Sequence, residues 1–276
     1  MFKGKFVKMA AAAAGLALLL AAPMAMAATK VTITGSTTVL PIGQKGAEVF
    51  MQKNPGVSIS VAGTGSGDGI KALIDGQTDI AMASREMKSK EIKMAEGKGV
   101  KAVRHVVGLD CIVPVVHPSN KVKNLTKAQL MDIYMGKVKT WKAVGGDDKP
   151  IVVISRDSSS GTFGVWKKRV LGGGRVRPDA QLQASNGAVA QAVAGNKYAI
   201  GYVGIGYLNA KLKGLTVDGV MASAKTALDK TYPIARALNM YTKGEPKGQV
   251  KAYLDFLKSE AGQALVKKEG FVPLAK

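Results

Sequence analysis

The chain has 276 residues, with 40 lysines and arginines against 19 aspartates and glutamates, a net charge of +21. Its basic residues are scattered and only 5% of the chain is aromatic, which argues against a surface that stacks bases between cations. A single cysteine, Cys111, excludes an intramolecular disulfide, and the length allows a large core divided between two lobes.

In chain order, residues 1–27 read as a secretory signal peptide. Lys3, Lys5 and Lys8 form a positive start, residues 10–22 are apolar, and Ala25-Met26-Ala27 is an A-x-A cleavage pattern before Ala28. The expected compartment of the mature protein is the periplasm. Its net charge, with those three lysines removed, is +18, a diffuse field that concentrates small anions. No other run is long and apolar enough to cross a bilayer.

From residue 31 onward, strand and helix signals alternate, the pattern of an α/β protein. A strand at 31–34 leads to a helix over 41–53, with Ile42, Val49 and Phe50 on one face. A strand at 57–61 leads to a helix from Asp68, with Ile70, Leu73 and Ile74 at helical spacing. A short strand at 79–83 precedes a charged helix at 89–96. Residues 100–116 are β-rich, interrupted by Gly108 and Pro114, and long enough to leave one lobe and enter another. Thr126 caps a helix over 127–135, and 151–154 is the next strand. A helix at 188–194, strands at 198–203 and 232–241, and helices at 249–258 and 261–268 complete the chain.

Three strand-to-helix turns consist almost wholly of glycine and hydroxyl residues: Gly35-Ser36-Thr37-Thr38, the stretch 63–69, and the stretch 155–163. A helix N-terminus leaves backbone N–H groups unpaired at the positive end of the helix dipole. Hydroxyl donors and glycines that permit close approach complete an anion site without lysine. Three such turns in one chain point to convergence on one small anion.

Other chemistry has little support. His105 and His117 lack metal-ligand spacing, and neither a P-loop nor a G-x-S-x-G elbow occurs. Ser66 or Ser160 as the nucleophile of a phosphatase or serine hydrolase would lack a histidine base. Cys111, Trp141 and Trp166 read as packing residues.

With these turns in place, the mature chain resembles, from end to end, the phosphate-binding receptors of bacterial phosphate ABC transporters. The residues carrying the resemblance are Thr34-Gly35-Ser36-Thr37-Thr38-Val39, Gly63-Thr64-Gly65-Ser66-Gly67-Asp68-Gly69, Asp79-Ile80-Ala81-Met82-Ala83-Ser84-Arg85, the stretch 155–163, and Ala199-Ile200-Gly201-Tyr202-Val203-Gly204. The resemblance implies a two-lobed periplasmic binding protein fold of type 2, with mixed sheets flanked by helices and a ligand cleft between lobes. Residues 28–108 with 236–276 would form lobe 1, and 109–235 lobe 2. It implies a monomeric receptor, not an enzyme, that needs no cofactor or metal and hands inorganic phosphate to an inner-membrane ABC permease. Receptors for sulfate, molybdate or arsenate are the alternative.

By motif, the resemblance assigns phosphate contacts to Thr37, Thr38, Val39, Ser66, Ser84, Arg156, Ser160, Gly161 and Thr162. One departure stands out. Longer relatives carry aspartate where this chain has Arg85, and protonated phosphate needs a carboxylate acceptor. Asp68 is the first candidate and Asp157 the second. Arg85 itself either reaches the anion or pairs with a carboxylate such as Glu86 or Glu91.

Overall fold

The computed structural model describes residues 29–275, and the signal peptide expected over 1–27 lies outside them. Twenty elements follow in order: β1 (Thr29–Gly35), α1 (Leu40–Lys53), β2 (Val57–Gly63), α2 (Ser66–Ile74), β3 (Ile80–Ala83), α3 (Ser89–Gly97) and β4 (Ala102–Val116). Then come β5 (Asn124–Leu125), α4 (Lys127–Tyr134), β6 (Val152–Arg156), α5 (Gly161–Arg169), β7 (Gln181–Gln183), α6 (Asn186–Ala194) and β8 (Ala199–Gly204). The chain finishes with β9 (Lys213–Gly214), β10 (Thr216–Val217), α7 (Ala224–Leu228), β11 (Ala235–Lys243), α8 (Gly248–Lys258) and α9 (Glu260–Lys268).

The main sheet runs β2-β1-β3-β11-β4-β8-β6-β7, with β9 attached to β4. β1, β2 and β3 are parallel, β11 is antiparallel to both β3 and β4, and β8, β6 and β7 are parallel. β4 therefore pairs with β11 along its first ten residues and with β8 from Ile112 to Val116. The interruption expected at Gly108 and Pro114 does not occur. The strand runs through both, and the irregularity is a bulge against Leu238/Asn239, where Val107 has no opposite partner.

The apolar residues segregate on either side of this crossing. One core takes residues between Cys111 and Ile234, joined by Val272 near the carboxyl end, and is centred on Trp166 stacked against Tyr202 at 4.3 Å, with Tyr134 packed on both. In the other lobe, β3 shows why its four residues are all apolar. Ile80 and Met82 face α1, α8 and α9, whereas Ala81 and Ala83 face Ile70 and Leu73 of α2. A strand covered on both faces reads as a continuous apolar run. Cys111 is fully buried in the first core. Burial, followed by the charge of Asp110, pushes its thiol up to about 12, so it is a packing residue.

Candidate functional site

The N-termini of α1, α2, α5 and α6 converge where the lobes meet. Thr37, Thr38, Ser66, Ser84, Ser160 and Thr162 are all buried there. From the first lobe, the loop entering α1 is held by Ser36, whose Oγ accepts from Thr38 N and Val39 N at 3.2 and 3.4 Å. α2 begins at Ser66, two residues before the expected start. Ser66 Oγ accepts from Ser84 N at 3.1 Å and lies 3.5 Å from Ser84 Oγ, so both hydroxyls share one spot at the end of β3.

The second lobe supplies the turn between β6 and α5. Asp157 Oδ1 organises it, accepting from Ser159 N, Ser159 Oγ and Ser160 N at 2.6–3.1 Å. Ser160 then caps α5, its Oγ accepting from Phe163 N at 3.1 Å. Glycine is required at two positions. A Cβ on Gly161 would stand 2.2 Å from Ser66 Oγ, and one on Gly65, whose φ is +109°, 2.3 Å from Ser159 Oγ. Across the same junction Gly67 N donates to Ser159 O at 2.8 Å, and the Thr38 and Thr162 hydroxyls lie 3.0 Å apart.

Arg156 is 2% exposed. Its Nε and Nη2 donate to the carbonyls of Gln183 and Ala184 at 2.9 Å, fixing the guanidinium plane. Its Nη1 is a buried donor without an acceptor among the described residues. Burial pulls the Arg156 pKa below its ordinary value, and Asp157 opposes that shift. A guanidinium remains charged in either case.

Four residues that the sequence reading missed complete the cluster. Asn186, the first residue of α6, donates from Nδ2 to both Thr37 Oγ1 and Thr38 Oγ1 at 3.0 Å. Its turn, Ser185-Asn186-Gly187, has the same hydroxyl and glycine character as the others and was the available signal. Arg236 of β11 donates from Nη2 to Thr38 Oγ1 and Thr162 Oγ1 at 3.3 and 3.1 Å, and from Nη1 to Ser84 O. Asp110 of β4 pairs with Arg236 at 2.6 Å and accepts from Ile205 N. Burial raises the Asp110 pKa and lowers that of Arg236, while their mutual attraction opposes both shifts. Tyr207 also donates its hydroxyl to Thr37 O, and burial pushes its pKa up to about 12.

Two sequence candidates are not brought into this cluster. Asp68 is exposed, because the phase of α2 turns Ser66, Ile70 and Leu73 inward. Arg85 is buried but faces Glu91, with Nη1 and Nη2 each 2.7 Å from a carboxylate oxygen. Burial works to raise the Glu91 pKa, but the hydrogen bond and charge of Arg85, with Lys88 N, outweigh it and leave the carboxyl below its ordinary value. The arrangement is thus a cluster of hydroxyls, amides and guanidinium groups, suited to grip an anion by donation. No imidazole stands beside its serines. His105 pairs with Thr242 and His117 with Ser119.

Residues 21–261 match the PBP superfamily domain. The phosphate-binding protein PstS of Bacillus subtilis is 36% identical over 246 residues, covering 88% of this chain and 80% of that protein. PstS of Pseudomonas aeruginosa is 32% identical, covering 87% and 81%. Among solved structures, a Clostridium perfringens phosphate ABC transporter substrate-binding protein with bound phosphate superposes with a TM-score of 0.83. It is 36% identical, covering 90% of this chain and all of that one. An ABC-type phosphate transport receptor from Vibrio cholerae gives a TM-score of 0.73 at 30% identity, covering 88% and 100%. With this agreement of sequence, fold and donor-lined junction, the chain belongs to the PstS family of substrate-binding proteins within the PBP superfamily.

Proposed function

We propose that this protein captures inorganic phosphate between its two lobes, outside the cytoplasmic membrane, and delivers it to an ABC permease. The observation that carries the reading is Arg156 Nη1, a buried charged donor without an acceptor among the described residues, in a chain that gathers four helix N-termini and six buried hydroxyls. Thr37, Thr38, Val39, Ser66, Ser84, Arg156, Ser160, Gly161 and Thr162 form the contact set, with Asn186 and Arg236 orienting the threonines. Thr38 Oγ1 accepts from both of these residues and so donates its hydrogen to Thr162 Oγ1, which leaves the hydroxyl hydrogens of Thr37 and Thr162 available to an anion. Residues 28–108 with 236–276 and residues 109–235 are the two closing bodies. The division is supported by separate apolar cores and by the two strands, β4 and β11, that pass between them.

Isothermal titration of purified protein with phosphate, arsenate and sulfate tests the reading. One equivalent of phosphate binds, with a thermal midpoint that rises with ligand concentration, and sulfate binds at least tenfold more weakly. Preference for sulfate would transfer the site to another tetrahedral anion. Turnover of a phosphate ester that disappears in Ser160→Ala would overturn the receptor reading.

A further inference from the structure

A second cavity of about 600 Å³ adjoins the hydroxyl cluster through Arg236, without including any of its hydroxyls. That volume lies in the range of small-molecule sites. Among the described residues six cations line it, namely Arg85, Lys88, Arg104, Lys168, Arg169 and Arg236, and Glu86 is the one carboxylate in the lining. Four of the six have partners. Arg85 pairs with Glu91, Arg104 with Glu86, Arg236 with Asp110, and Arg169 donates to the carbonyls of Pro233 and Ala235. The Lys88 and Lys168 ammonium groups make no hydrogen bond or ion pair among the described residues, although the charge of Glu91 attracts Lys88. Burial, then the charge of Arg85, holds Lys88 below its ordinary pKa. Arg85 is 7% exposed, and its Nε is a buried donor without an acceptor among the described residues.

The lining also comes from both lobes. Arg85, Lys88 and Arg104 belong to the first, Lys168 and Arg169 to α5 of the second. Closing the lobes therefore brings like charges together, which opposes closure unless an anion lies between them. Separate point charges and guanidinium forks around a cavity this large match linked phosphoryl groups rather than one tetrahedral ion.

We propose that this cavity is a second anion site for a condensed phosphate, and that its occupancy favours the closed arrangement of the lobes. The inference does not depend on which anion the first cluster takes. Titration with inorganic tripolyphosphate, in orthophosphate sufficient to saturate the first cluster, tests it. One equivalent of tripolyphosphate binds, and the pair Lys88→Glu and Lys168→Glu weakens it at least tenfold while orthophosphate affinity stays within twofold. The single change Lys211→Glu, at an exposed lysine outside the cavity lining, alters tripolyphosphate affinity less than twofold. Absence of the additional equivalent, or equal weakening by Lys211→Glu, would overturn the site and leave only the diffuse field. Failure of orthophosphate to bind would count against the proposed function, while the tripolyphosphate comparison would still report on this cavity.

Discussion

At the scale of single residues, steric contact and charge make separable contributions. Gly161→Ala places a methyl group 2.2 Å from Ser66 Oγ and 2.7 Å from Ser84 Oγ, with each lobe otherwise intact. Phosphate affinity is expected to fall at least tenfold by titration, with little change in the thermal midpoint measured without phosphate. Affinity within twofold would show that the lobes approach less closely around the ligand. Arg156→Lys retains the charge but loses the planar fork held by Gln183 and Ala184. It is expected to cost about 2 kcal/mol, or about 30-fold in Kd. Asp68→Asn, at an exposed position, is expected to leave the phosphate-to-sulfate ratio unchanged. Asp157→Asn weakens phosphate binding, because three donors of the α5 turn rest on that carboxylate. The turn around Arg156 was legible in the sequence because its contacts are local. Arg236 was not, since its partner Asp110 lies 126 residues away and neither has a motif around it.

At the scale of elements, caps and periodicity gave most of the chain. Thr126 was readable as a cap and closes a capping box with Gln129 on α4. Ser160 caps α5 and is also one of the proposed phosphate contacts. Thr126→Ala and Ser160→Ala should each lower unfolding stability by about 1 kcal/mol in denaturant titrations. Only Ser160→Ala should weaken phosphate binding, and an equal loss in both would assign the effect to general destabilisation. β5, β9 and β10, of two residues each, were illegible because two residues carry no period. α6 was placed two residues late, since Asn186 and Gly187 read as loop until Ser185 is seen capping Ala188 N.

At the scale of the whole molecule, β4 and β11 carry the chain between the lobes, and the Asp110–Arg236 pair ties them beside the site. Asp110→Asn leaves a buried guanidinium without its counter-charge, and a cost of about 3–5 kcal/mol is expected by denaturant unfolding. Phosphate affinity should fall as well, because Arg236 then has less reason to stay against Thr38 and Thr162. A variant of unchanged stability would mean that the pair is not buried in solution. The two-lobed arrangement was legible from the β-rich length of residues 100–116. The bulge at Leu238/Asn239 was not, because it arises from the register between distant strands. The place of β11 has a consequence for the order in which the protein can be assembled. It inserts between β3 and β4, yet it is the last strand to be synthesised. Until residue 243 is made, β3 and the first part of β4 are two unpaired edges with apolar faces, and the first lobe lacks the middle of its sheet. That lobe therefore completes only when the carboxyl-terminal part of the chain arrives, so a nascent chain stays sticky and unclosed for most of its synthesis.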